Sequence, residues 1–67
     1  MMKIVLNGEA RQVAPGSTLS EILATAGYAD RRVAVEINRE IVPKSAHEQH
    51  LIRDGDHIEV VHALGGG

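Results

Sequence analysis

The final residues of the chain, Gly65, Gly66 and Gly67, end in a carboxylate that could serve as a reaction centre without any side chain. A free carboxylate is a poor electrophile, because its charge repels nucleophiles and oxide is a bad leaving group. Glycine accepts extended and positive-φ conformations and has no Cβ, so this tail could enter a narrow channel with nothing crowding its carbonyl carbon. Taken alone, the run is equally compatible with a frayed terminus.

The histidines are the other residues that could do chemistry. His47 and His50 are three positions apart and would share one face of a helix, whereas His57 and His62 would point to opposite faces of a strand. The sequence has no cysteine to join them. We therefore interpret the histidines as solvated loop or strand residues, and we expect no metal site.

Two carboxylates and several cations have simple structural interpretations. Asp54 and Asp56 flank Gly55, which favours a turn over an acid–base pair. No Walker or GxGxxG pattern is present, so we expect no bound cofactor. We interpret five basic residues as solvated surface: Arg31, Arg32, Arg39, Lys44 and Arg53.

Composition narrows the class of protein. The 67 residues suffice for one small domain, and the net charge of −2 comes without a basic block, so we expect no nucleic-acid partner. No stretch approaches the roughly 20 apolar residues of a membrane span. The first residues do not resemble a signal peptide, and we expect a cytoplasmic protein.

The first two predicted strands form a hairpin. Residues 3–6 are mostly apolar and include two β-branched residues, so they predict a strand; Asn7-Gly8 is a strong turn signal, and residues 9–14 would return antiparallel. A two-residue turn would place Arg11 opposite Ile4, on the expected core face. A longer loop with a glycine bulge is equally compatible, so the register stays open.

The next element is a helix over residues 18–26. Thr18 and Glu21 fit a capping box. Gly27 suits the left-handed position after the helix, and Tyr28 could make the apolar contact beyond it. The apolar stripe consists of Leu19, Ile22, Leu23 and Ala26.

The second half of the chain alternates strands and turns. Residues 32–37 read as a half-buried strand, residues 38–40 as a turn, and Ile41-Val42 as a short strand stopped by Pro43. Residues 44–50 are polar and predict a loop or a single helical turn.

A last strand completes the pattern. Leu51-Ile52 is a small apolar anchor, and a turn at residues 54–56 leads into a strand over 57–62 with Ile58 and Val60 facing inward. The order β-β-α-β-β-β predicts an α+β fold: a mixed sheet of four to five strands with one main helix on one face. Residues 1–63 would form this domain and residues 64–67 a flexible tail.

Three segments together resemble the ThiS family of thiamine-biosynthesis sulfur carriers. They are Asn38-Arg39-Glu40-Ile41-Val42-Pro43, Asp54-Gly55-Asp56-His57-Ile58-Glu59-Val60, and the glycine tail, joined by the opening Lys3-Ile4-Val5-Leu6-Asn7-Gly8. The resemblance covers nearly the whole chain and implies a ubiquitin-like β-grasp. Relatives often have a tryptophan where this chain has His47.

The resemblance also implies a carrier rather than an enzyme. A partner would use ATP to adenylate the Gly67 carboxylate. Sulfur from a sulfurtransferase or cysteine desulfurase would then leave a thiocarboxylate, which thiazole synthase consumes. Gly65 and Gly66 would give access to those active sites. We expect partner contact through apolar surface at Val61 and Leu64, or by strand addition along a sheet edge.

Two other functions remain open at this point. A carrier for molybdopterin synthesis would use the same tail chemistry, and a ubiquitin-like interaction module would have an inert tail. The second would keep its function after removal of the glycines.

Overall fold

The computed structural model describes residues 1–29 and 31–62, with only the backbone of His62. Its strands are β1 (Met2–Leu6), β2 (Glu9–Val13), β3 (Val33–Ile37), β4 (Glu40–Val42) and β5 (His57–His62). The helix α1 spans Leu19–Thr25, and a short 3-10 helix spans Lys44–Ala46. The predicted order of elements is confirmed, and the predicted tail lies outside the described residues.

The five strands form one sheet in the order β2-β1-β5-β3-β4. The β1–β5 pair is parallel, and the pairs β1–β2, β3–β5 and β3–β4 are antiparallel. The predicted mixed sheet is thus confirmed, with all five strands. The last strand, β5, lies at the centre of the sheet, between β1 and β3.

The hairpin between β1 and β2 has the two-residue turn. Asn7 and Gly8 have φ values of 49° and 83°, and Ile4 lies opposite Arg11. Arg11 therefore shares the core-side face, but β2 is an edge strand and leaves 40% of this side chain exposed. Its guanidinium lies 3.9 Å from a carboxylate oxygen of Glu9, so the charge stays near the surface.

Helix α1 begins and ends as its sequence predicts. Thr18 is the N-cap, and both hydrogen bonds of the capping box with Glu21 are present. At the other end, Gly27 has a φ of 92°, and the Tyr28 amide donates to the Leu23 carbonyl over 2.8 Å. Together with the bond from the Gly27 amide to the carbonyl two residues before the cap, this is a Schellman motif.

The core lies between α1 and one face of the sheet. Its members are aliphatic residues, each at most 8% exposed: Ile4, Leu6, Leu19, Ile22, Leu23, Val35, Ile37, Val42, Ile52, Ile58 and Val60. Ile58 and Val60 face inward, as predicted. Small differences concern boundaries: β2 ends at Val13, and Glu40 starts β4 instead of belonging to the turn.

The predicted Leu51-Ile52 anchor is only half right. Ile52 is buried, but 59% of Leu51 is exposed. The segment runs extended beside the residues before α1: Leu51 bridges to Thr18, and the Ile52 amide donates to the Ser17 carbonyl over 2.9 Å. Successive side chains of an extended chain point to opposite sides, so only one of the two can reach the core.

The prediction of a solvated His47 is wrong. This residue is 7% exposed, and its Nε2 lies 3.0 Å from the Val42 carbonyl oxygen, to which it donates. The short 3-10 helix after Pro43 turns the chain back toward β4, and the Ser20 amide donates to the His47 carbonyl over 3.0 Å. Both contacts draw the ring inward.

Candidate functional site

The predicted site depends on where β5 directs the chain. Strand β5 ends at His62, which pairs with Val33 of β3, and the preceding Val61 pairs with Ala34. Gly65, Gly66, Gly67 and Leu64 follow outside the described residues. The structure therefore describes the strand that precedes the predicted reactive end, but not that end itself.

Asn7, which follows β1, forms hydrogen bonds to β5 on the side opposite β3. Its backbone amide donates to the Ile58 carbonyl over 2.9 Å, and its Oδ1 accepts from the Val60 amide over 2.7 Å. Its Nδ2 donates to the Tyr28 hydroxyl over 3.2 Å. Strand β1 pairs with β5 only as far as Ile58, so the Asn7 side chain extends the hold on β5 by two residues.

The face of the sheet opposite α1 carries Val61, one of the two residues of the predicted partner surface; the other, Leu64, lies outside the described residues. Its side chains alternate with the core residues along each strand, and all but the half-buried Val5 are exposed: Lys3, Ala10, Gln12, Ala34, Glu36, Ile41, His57, Glu59 and Val61. We call this the open face. Val61 is 58% exposed and Ile41 is 75% exposed, which is suitable for contact with another protein.

The aspartates of the predicted turn are used to hold the loop. Buried Asp56 accepts from the Arg53 amide over 2.8 Å and from Asn38 Nδ2 over 3.0 Å, and Asp54 accepts from the Lys3 amide over 2.9 Å. Asn38 also accepts from the His57 amide over 3.0 Å. These bonds support the turn interpretation over an acid–base pair.

The described residues were also searched for metal-binding clusters and for helices that could span a membrane. Within them, no group of three or more histidine, cysteine, aspartate or glutamate residues is placed to hold a metal ion. No described helix is long and apolar enough to cross a membrane.

Comparison with known proteins decides the family. The model of the ThiS family matches residues 4–67. The chain belongs to the ThiS family. Escherichia coli sulfur carrier protein ThiS is 36% identical over 66 residues, which cover 98% of this chain and all of that protein. The crystal structure of the thiamine biosynthesis protein ThiS from Geobacter metallireducens superposes with a TM-score of 0.84 at 30% identity, covering 98% of this chain and all of that one.

Longer relatives are also similar to the chain. A thiazole synthase from Paramagnetospirillum magneticum is 47% identical over 66 residues. One from Magnetococcus marinus is 42% identical over the same length. The chain spans 20% of the length of each of these relatives.

These matches confirm the predicted family and the predicted fold, which is the ubiquitin-like β-grasp. The Escherichia coli relative, which this chain matches over its full length, is named a sulfur carrier protein. The names of the two longer relatives link ThiS-like sequence to thiazole synthase.

Sequence reasoning missed the asparagines that support the site. Asn7 and Asn38 were recognised only as turn residues, yet both use their side chains to hold β5. Their turn positions are local signals, whereas their hydrogen-bond partners lie between 18 and 53 positions away. Only the strand order brings the turns next to β5.

Proposed function

We propose that this chain carries sulfur for thiazole formation in thiamine biosynthesis. The observation that carries the proposal is the match along the full length of the Escherichia coli sulfur carrier, at 36% identity. The reacting group is the Gly67 carboxylate, and Gly65 and Gly66 give it the reach and slenderness to enter a partner's active site. The proposal requires Gly67 to carry a free carboxylate when the chain reacts.

The chemistry takes place on partner enzymes. A carboxylate oxygen attacks the α-phosphorus of ATP in the adenylating enzyme, pyrophosphate leaves, and the carboxylate becomes an acyl adenylate. Sulfur from a persulfide, supplied by a sulfurtransferase or cysteine desulfurase, attacks the acyl carbon and displaces AMP. A thiol then cleaves the sulfur–sulfur bond and releases the thiocarboxylate, which thiazole synthase consumes.

The folded domain supplies recognition. The chain itself holds no resident cofactor in this proposal, and ATP is bound by the partner. Val61 on the open face and Leu64 after it would contact the adenylating enzyme, because apolar exposed side chains provide affinity that a glycine tail lacks. We place the chain in the cytoplasm with these enzymes, with neither nucleic acid nor membrane as a partner.

One reaction tests the proposal. The purified chain is incubated with ATP, its cognate adenylating enzyme and a sulfur donor, and its intact mass is measured before and after. We expect the mass gain that corresponds to exchange of one oxygen for sulfur, located on Gly67 by fragmentation. The starting mass shows whether Gly67 carries the free carboxylate in the protein as cells make it.

A matched truncation provides the control. Removal of Gly67 is expected to abolish the mass gain and to leave the unfolding temperature unchanged, because every core residue precedes it in the chain. Failure of the intact chain to gain sulfur with its cognate enzyme would overturn the proposal. Growth of a deletion strain with and without thiamine then identifies the product that needs the sulfur.

A further inference from the structure

Asn7 joins three elements of the fold near the end of β5. Its backbone amide follows β1 and donates to the Ile58 carbonyl over 2.9 Å, while its Oδ1 accepts from the Val60 amide over 2.7 Å. Its Nδ2 donates to the Tyr28 hydroxyl over 3.2 Å. Tyr28 follows α1, where its own amide donates to the Leu23 carbonyl and its side chain packs against the core. Asn7 is thus braced against the end of the helix while it holds β5.

The bond to Tyr28 orients the side-chain amide of Asn7. The backbone N–H of Val60 can only donate, so the amide oxygen must face it and the amide nitrogen faces Tyr28. The turn itself does not need these two bonds, because a glycine would adopt the φ of 49° without any side chain. The side chain therefore does more than the turn requires.

The last residues of β5 have unequal support on their two sides. Strand β3 pairs with β5 as far as His62, whereas β1 pairs with it only as far as Ile58. Successive residues of a strand direct their backbone groups to alternate sides, so the Val60 amide faces away from β3 and meets Asn7. This bond holds β5 two residues before the strand ends.

We propose that Asn7, oriented by Tyr28, is a positioning residue for the adenylation of Gly67, an inference that rests on the proposed function. Gly67 lies five positions after His62, the last residue of β5. At about 3.5 Å per residue, the strand end lies within about 18 Å of the reacting carboxylate. By holding Val60, Asn7 fixes the place and direction from which this short segment leaves the sheet. A displacement of about 1 Å between reacting groups can cost about 100-fold in rate.

The second hairpin offers a matched comparison. Asn38 also occupies the first position of a two-residue turn, with a φ of 51° against 49° for Asn7. Its Oδ1 accepts from the His57 amide over 3.0 Å, and its Nδ2 donates to Asp56 over 3.0 Å. His57, however, is the first residue of β5 and lies at the end farther along the chain from Gly67. Loss of either asparagine side chain therefore removes two bonds of the same kind, but a positioning role predicts slower adenylation for only one of them.

The test measures adenylation by pyrophosphate release in single turnovers, with ATP and the cognate enzyme in excess over the full chain. The maximal rate reports delivery of the carboxylate, and the half-saturating enzyme concentration reports docking. We expect Asn7→Gly to lower the maximal rate by about fivefold or more and to leave half-saturation within about twofold. Asn38→Gly is expected to keep the maximal rate within about twofold of wild type. Asn7→Asp should restore most of the rate, because its carboxylate accepts from Val60 and the Tyr28 hydroxyl can turn to donate.

Amide hydrogen exchange measured by NMR checks the cause of the slower rate. In Asn7→Gly, exchange of the Val60 amide is expected to accelerate more than exchange of the Glu59 amide, which faces β3, whereas a general loss of stability would accelerate both equally. If the glycine variant does not fold, Tyr28→Phe takes its place, since it keeps the ring and removes the hydroxyl that holds the amide of Asn7. We expect that variant to lower the maximal rate by about twofold or more.

The outcomes separate the two proposals. If wild type is adenylated but Asn7→Gly, or Tyr28→Phe in its place, reaches the wild-type maximal rate, the positioning role is overturned and the carrier function stands. Equal losses of rate in Asn7→Gly and Asn38→Gly would assign the effect to general stability and would also overturn it, as would a change confined to half-saturation. If wild type is never adenylated by its cognate enzyme, the carrier function fails and the positioning role fails with it.

Discussion

The side chain of Asn7 accepts a 2.7 Å hydrogen bond from the backbone amide of Val60, across 53 positions of sequence. The same residue has a φ of 49° as the first residue of the β1–β2 turn. One asparagine thus shapes the first hairpin and fastens the last strand. Because asparagine tolerates the left-handed region better than most residues, the same side chain can sit in the turn and bond to the last strand.

The first prediction separates these two roles of Asn7. Asn7→Gly keeps the positive φ but removes the side-chain bonds to Val60 and Tyr28, and we expect it to lower the free energy of unfolding by about 1–2 kcal/mol. Asn7→Ala loses the same bonds but, unlike the glycine variant, keeps a Cβ in the left-handed region, so we expect it to be about 1 kcal/mol less stable than Asn7→Gly. Equilibrium urea unfolding measures both. A glycine variant as stable as wild type would show that the side-chain bonds contribute nothing.

The second prediction concerns the start of α1. Thr18 Oγ1 accepts from the Glu21 amide over 3.2 Å, and Thr18→Ala is expected to lower the free energy of unfolding by about 1 kcal/mol. Thr25→Ala is the matched control, because its hydroxyl only donates to a carbonyl within the helix, and alanine favours the helix. We expect that control to be neutral or stabilising in the same urea titration. Equal losses in the two variants would contradict a capping role.

The third prediction tests the buried histidine. His47→Phe keeps a ring in the site but removes the Nε2 donor that lies 3.0 Å from the Val42 carbonyl, so we expect a loss of about 1–3 kcal/mol. His57→Phe changes an exposed ring and is expected to have an effect within about 0.5 kcal/mol of zero. Urea unfolding compares the two. Similar small effects would mean that the hydrogen bond of His47 is dispensable.

The features that the sequence predicted correctly depend on neighbours in the chain. The capping box joins Thr18 to Glu21, and Gly27 ends the helix through local bonds, so short patterns are enough to predict both ends of α1. His47 and Leu51 were misjudged because their burial depends on which segment packs against them, and polarity does not encode that.

The candidate site, too, has features that the sequence could predict and features that it could not. The proposed reactive role of Gly67 came from the family resemblance, and the expected exposure of Val61 from strand alternation. The pairing of Glu36 with Glu59 could not be predicted, because it requires the register between β3 and β5, which are separated by a turn, strand β4, a 3-10 helix and a loop. A shift of one residue would have placed each glutamate beside a different partner.

The two hairpins of the fold offer a comparison that leads to the last prediction. Both have two-residue turns with positive φ at each position: Asn7-Gly8 at 49° and 83°, and Asn38-Arg39 at 51° and 71°. Turns of this kind prefer glycine in the second position. Arg39 therefore occupies a position where a Cβ is strained, while Gly8 in the equivalent position is not.

We expect Arg39→Gly to raise the free energy of unfolding by about 0.5–1 kcal/mol, because relief of the strained φ outweighs the added freedom of glycine in the unfolded chain. The reciprocal change, Gly8→Arg, is expected to lower it by about 1 kcal/mol, since no heavy atom lies within 4 Å of an added Cβ and only the backbone strain acts. Urea unfolding of both variants checks the pair. A destabilised Arg39→Gly chain would indicate that the arginine side chain stabilises the free domain.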